Sequence, residues 1–338
     1  MGIGQGIGLV VFVVCLYISW QIREVLLLIF TAVVLATALN RLVRLFQRFR
    51  IKRGIAIFLS VSLLLLLIAG FFILVMPPLL EQLQELVKIA PEGLERLRSW
   101  TSWFQNIIPE QLVQDLRNLE GLTQQIQSLI YRLFGNFLTL FSNSLGIILN
   151  VLVVLILTIM LLASPAAYRQ GFTLLFPSSY RHRVEEILQQ CEVGLGGWMT
   201  GTLFNMMIIA VLNGIALLIL QVPLALVNGV LSGILTFIPN IGPTLSTIPP
   251  ILLALLDSPG KAVAVLVVYI IIQQIESNIL TPLIMKREVS LLPAVTLASQ
   301  LIFATFFGFL GLFLALPLLV ITQVWIKELL VKDVLNKR

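Results

Sequence analysis

Twenty-three consecutive residues, Gly54 to Met76, carry no polar side chain except Ser60 and Ser62. At 1.5 Å per residue, a helix of that length reaches about 34 Å, enough to cross a hydrocarbon layer about 30 Å thick. In lipid every backbone N–H and C=O must find its partner within the protein, which leaves helices and closed barrels as the only spanning forms. The run shows none of the alternation of a barrel strand, so it predicts a transmembrane helix. Pro77-Pro78 closes it by withholding backbone donors.

The rest of the chain agrees. With 59% hydrophobic and 11% charged residues and a mean hydropathy of +1.03, the composition is far from that of a soluble domain, where about a quarter of residues are charged. The expected fold is all-α: a polytopic integral membrane protein of about eight membrane helices, some broken or re-entrant, with an extramembrane helical region. The net charge of +6 does not point to nucleic acid, because Arg41, Arg44, Arg48, Arg50, Lys52 and Arg53 cluster without an acid among them. The positive-inside rule places this loop, 41–53, in the cytoplasm, and the basic C-terminus from Lys327 to Arg338 with it.

Residues 1–76 read as N-terminal membrane helices, Ile7 to Ile22 and Val25 to Leu39 being hinged at Arg23 and Glu24. Residues 77–135 read as an extramembrane amphipathic helical domain. Leu80, Leu83, Leu86 and Val87 fall at helical spacing there, Pro91 and Pro109 break the pattern, and Trp100 and Trp103 suit an interface. The chain returns to the membrane in a run from Leu133 to Ala163, and 136–338 forms a membrane core with a cytoplasmic amphipathic linker at 165–195. The pairs Gly197/Gly201 and Gly229/Gly233 have the small-xxx-small spacing by which helices approach in lipid, and are expected to serve packing. Cys15 and Cys191 fit neither a disulfide framework nor a zinc spacing, and His182 between two arginines reads as a solvated residue. No metal or cofactor is expected.

Ala262 to Ile284 is long enough to span, yet it holds Gln273, Gln274, Glu276, Ser277, Asn278 and Thr281, then Pro282. A mid-span carboxylate costs about 3 kcal/mol on insertion scales, while an interhelical hydrogen bond in lipid returns about 0.6 kcal/mol. Glu276 therefore needs several partners or a wet cavity; it is either a structural acid bonded to neighbouring helices or part of a transport path. At 100° per residue Gln273, Gln274, Ser277, Asn278 and Thr281 share a broad arc, with Glu276 at its edge. Interrupted apolar segments flank this helix. One stops at Pro239-Asn240-Ile241-Gly242-Pro243 and resumes through Pro249-Pro250; the other runs from Pro293 to Pro317 with Gly308 and Gly311 inside. Irregular backbone at membrane depth is tolerated only inside protein or beside a water-filled cavity, and such interruptions are the best sequence pointer to a transporter site.

The sequence Phe237-Ile238-Pro239-Asn240-Ile241-Gly242-Pro243, the pattern Gln274, Glu276, Asn278 and Pro282, and Gly308, Gly311 and Pro317 together resemble the AI-2E (autoinducer-2 exporter) family of bacterial transporters. The resemblance implies a permease of the bacterial inner membrane without an ATPase domain, assembled as a homo-oligomer, a pentamer. It also implies release of the quorum-sensing molecule autoinducer-2, or monovalent cation/proton antiport as in other members. Leu292 stands before Pro293 where many members have histidine, and Ser299-Gln300 replace a frequent small or glycine pair.

The leading expectation is a secondary transporter or permease, not an enzyme, exporting a small polar solute, with H⁺ or Na⁺ as a coupling ion. Glu276, Gln273, Gln274, Asn278, Thr281 and Asn240 would contact the solute. Pro239, Gly242, Pro243, Pro282, Pro293, Gly308 and Gly311 would act as gates or hinges. The rivals are a monovalent cation/proton antiporter and, from a different class, an oligomeric membrane scaffold. No HExxH, G-x-S-x-G or P-loop occurs.

Overall fold

The computed structural model describes residues 13–15, 17–78, 81, 144–285 and 293–329. The expected extramembrane domain at 77–135 lies almost wholly outside the described residues, as do Leu292 and the basic C-terminal residues 330–338. Among the described residues all regular structure is helical: α1 (Arg23–Arg48), α2 (Arg53–Leu74), α3 (Ser144–Ala163), α4 (Pro165–Thr173), α5 (Arg181–Ile219), α6 (Ala225–Leu235), α7 (Ile241–Asp257), α8 (Pro259–Ile275) and α9 (Pro293–Trp325). Five helices are long and apolar enough to span, or six if the bent pair α3 and α4, 91° apart, is one span; α6 and α7 are shorter apolar helices. Among the described residues the expected total of about eight is reached by counting the bent pair and both short helices.

Several boundaries differ from the sequence expectation. The hinge before α1 narrows to Ile22, since Ile22 N–H donates to Ile18 O and Leu26 N–H to Ile22 O, carrying the helix across. Arg23 lies 4.4 Å over the Trp20 ring. Only residues 49–52 of the basic stretch leave helical form; Arg41, Arg44 and Arg48 belong to α1. The segment expected as a linker becomes α4 and the start of α5, a 39-residue helix of about 58 Å, longer than the bilayer core. Charge pairs hold its polar end. Glu192 accepts from Arg44 at 2.7 Å and from Arg169, and Arg183 meets the buried carboxylate of Glu328 at 2.9 Å.

Three apolar clusters hold the helices together. Leu39, Val43, Ile57, Val61 and Leu162 join α1, α2 and α3. Val34, Leu195, Trp198, Leu316 and Val320 join α1, α5 and α9. Leu217, Ala225, Leu253, Val265 and Tyr269 join α5 through α8. Between α5 and α6 the fit is backbone to backbone: a Cβ on Gly229 would sit 2.6 Å from Gly214 Cα, and one on Gly233 would sit 2.5 Å from Met206 O. The partners of Gly229 and Gly233 are thus Met206, Ala210 and Gly214, between five and thirteen positions beyond Gly201.

The prolines distribute their effects unevenly. Pro249 and Pro250 lie inside α7, within the resumed run read from sequence, and Pro317 lies inside α9, where the sequence reading ended the interrupted segment. Neighbouring groups in a membrane bundle can satisfy the backbone atoms a proline frees. The breaks fall elsewhere. One is the turn between α6 and α7. The other is Gly308, with φ 62° and ψ −144° inside α9. Beyond it, a Cβ on Gly311 would meet the carbonyl oxygen of Phe303 at 2.1 Å. A straight helix keeps residues eight apart about 12 Å away from each other, so the chain turns sharply at Gly308 and α9 is two arms, 293–307 and 309–325.

A polar cavity between two chain breaks

The turn joining α6 to α7 is built on strain. Asn240 has φ 66° and ψ −49°, and Ile241 N–H donates to Pro239 O at 2.8 Å. Those angles with that bond define a γ-turn of the rare, strained hand. Three features hold it. Gly242 N–H donates to Ile238 O at 2.8 Å, and only glycine fits, since a Cβ there would fall 1.7 Å from Leu235 O. Gln300, buried on the first arm of α9 with 1% of its surface exposed, donates from Nε2 to Pro239 O at 3.0 Å and lies 3.5 Å from Asn240 Nδ2. From the second arm, Phe313 stacks on Phe237 at 4.3 Å, and Phe237 meets Trp198 of α5 edge-on at 5.6 Å. One turn therefore touches both sides of the Gly308 bend.

The helix carrying Glu276 widens where Pro282 follows. Residues Glu276–Leu280 form a π turn, in which Thr281 N–H reaches back to Glu276 O. Such turns concentrate at functional sites. The Pro282 ring cannot sit against the carbonyl four residues before it in a regular helix, which accounts for the wider turn just ahead of it. Glu276 is partly buried, and its Oε1 accepts from Asn205 Nδ2 of α5 at 2.7 Å.

These parts meet at a cavity of about 270 Å³. Trp198, Gly201, Thr202 and Asn205 line it from α5; Thr236, Pro239, Asn240 and Pro243 from the γ-turn and its flanks; Gln273, Glu276, Ser277 and Thr281 from the polar helix; Thr296 and Leu316 from the two arms of α9. Of the residues expected to contact solute, Glu276, Gln273, Thr281 and Asn240 share this wall. Gln274 and Asn278 do not line it: both are exposed, and Asn278 Nδ2 donates to Gln274 Oε1 at 2.8 Å. Gly201, read as a packing residue, belongs to the cavity wall. Among the residues expected to hinge, Pro239 and Pro243 are in the wall, Gly242 supports it from behind, and Gly308 and Gly311 form the bend between its two α9 contributors. Pro293 opens α9.

Sequence reading missed Trp198, Thr202, Asn205 and Gln300. Asn205 is one of two asparagines, with Asn213, in the apolar stretch of α5, and its spacing offers nothing to link it to Glu276, 71 positions on. Trp198 stands where that apolar stretch begins, a place where tryptophan is ordinary.

Proteins of known sequence supply an independent comparison. A family model described as AI-2E family transporter matches residues 9–331. The chain belongs to the AI-2E transporter family. Relatives include YueF of Bacillus subtilis, 25% identical over 327 residues that cover 93% of this chain and 84% of YueF. The AI-2 transport protein TqsA of Escherichia coli is 26% identical over 319 residues, covering 90% of this chain and 86% of TqsA. The protein sll0060 of Synechocystis is 27% identical over 334 residues, 90% of each chain. Family membership makes this a membrane transport protein, in agreement with its apolar helices.

Proposed function

We propose that the protein is a secondary permease of the bacterial inner membrane that exports a small polar solute through the cavity beside Glu276. The observation that carries this reading is the convergence of one sheltered carboxylate and two chain breaks on a single polar cavity. Irregular backbone and an acid both cost free energy in lipid, and a wet solute site is the circumstance that accommodates both. Thr296 and Leu316 lie on opposite sides of the Gly308 bend, so any change in that bend alters the cavity wall. The γ-turn, held by Gln300 on one arm and Phe313 on the other, registers the same movement. Together they are the gate.

The name of TqsA supports an autoinducer-2-like cargo. A monovalent cation in exchange for protons is the second reading, favoured by a Glu276 whose contact in the cavity is a neutral amide. The basic residues 41–53 face the cytoplasm under the positive-inside rule. The exposed Gln274 and Asn278 pair on a membrane helix supports a homo-oligomer, in which another copy covers these polar groups.

Flux through purified protein in liposomes tests the reading. Wild type should release preloaded autoinducer-2 or a monovalent cation faster than empty liposomes. Glu276→Gln should slow that release at least about tenfold, the loss of roughly one charged hydrogen bond. Flux at the level of empty liposomes for every solute would instead favour a scaffold, and equal flux in wild type and Glu276→Gln would remove Glu276 from the path.

A further inference from the structure

We propose that the cavity beside Glu276 is a charge filter, admitting small uncharged or positively charged solutes and holding out carboxylates and phosphates. Among the described residues the wall contains one ionisable side chain, Glu276, and no lysine, arginine or histidine. Its partner there, Asn205 Nδ2, supplies a hydrogen bond and no net charge. Four basic groups are paired with acids away from the wall, Arg44 and Arg169 on Glu192, Arg183 on Glu328 and Lys261 on Asp257, while Arg41 donates to Thr200, whose neighbour Gly201 is in the wall.

A cleft lined by one sign of charge between low-dielectric walls concentrates the field of that charge. At 4 Å and an effective dielectric of 20, a second negative group is disfavoured by about three decades, and a cavity holding water retains a part of that, at least about tenfold.

The word solute rests on the transport reading; the potential in the cavity does not, and it can be measured without knowing the cargo. In full-length protein with Cys15→Ser and Cys191→Ala, single cysteines are placed on the wall as Ser277→Cys and, separately, Thr281→Cys. Each is treated with a methanethiosulfonate bearing trimethylammonium and with one bearing sulfonate. The cysteine sulfur forms a mixed disulfide and methanesulfinate leaves. Rates are divided by those of each reagent with a free thiol. The cationic reagent should be favoured at least about tenfold at both positions, and Glu276→Gln should bring the ratio close to one. Lys52→Cys, on the basic turn, should show the opposite preference. Equal rates at the cavity cysteines, a preference for sulfonate, a ratio unmoved by Glu276→Gln, or no reaction with either reagent would each overturn the filter. A preserved ratio in protein that moves no solute would overturn the transport reading and leave the filter standing.

Discussion

The two breaks that border the cavity solve the same problem with opposite materials. At Gly308 the chain enters a backbone region open to glycine alone, and nothing lies within 4 Å of where its Cβ would be; the bend depends on the residue and little on its surroundings. At Asn240 the residue is not glycine, and the strained γ-turn exists because its surroundings hold it: Gly242 leaves room for Leu235 O, Gln300 bonds Pro239 O, and Phe237 is stacked on Phe313. A glycine bend moves at small cost, whereas a held turn moves only with what holds it. In the gating proposed above, the difference would make Gly308 the joint and the γ-turn the part that senses the joint's position.

Substitutions should separate the two. The largest loss is expected for Gly242→Ala, which drives a methyl into a backbone carbonyl; a cost of about 3 kcal/mol or more should appear as aggregated protein or a steep fall in denaturation midpoint in detergent. Gly308→Ala meets no atoms and incurs only the left-handed backbone strain, about 1 to 3 kcal/mol, so it should yield folded protein with a lower midpoint and slower flux. Gln300→Ala removes a buried hydrogen bond from Pro239 O, at about 1 to 2 kcal/mol. If the γ-turn reports on the joint, this variant should also uncouple them, which would appear as faster, less selective leak through liposomes. Asn240→Gly should have the smallest effect, within about 1 kcal/mol and without destabilisation, because relief of strain offsets the added freedom of the unfolded chain. A large loss at Asn240→Gly would mean that the asparagine side chain, and not its backbone, supports the site.

Much of this was legible in the residues. The run 54–76, the stop at Pro239 to Pro243 and the acid at 276 require a spanning helix, a break and a shelter, because lipid punishes each exception locally. Long-range partners were not. Nothing near Glu192 announces Arg44, 148 positions away, and nothing near Gln300 announces Pro239. Pro317 misled: read as the end of the last interrupted segment, it sits within a helix of the bundle, as Pro249 and Pro250 do, while the sharpest bend belongs to a glycine.

The π turn at Glu276 carries a geometric consequence of its own. In a regular helix the neighbour stacked on Glu276 would be residue 280, a leucine; with one extra residue in the turn it is Thr281. Gln274, in the regular helix before the wide turn, and Asn278, bonded to it, lie on the outer flank of that helix, while the wide turn brings a threonine under the acid. Pro282 thereby determines which side chain stands beneath Glu276. Restoring even pitch there would present an oily leucine in place of a hydroxyl, changing the chemistry of the cavity wall though every original functional group remained in the chain.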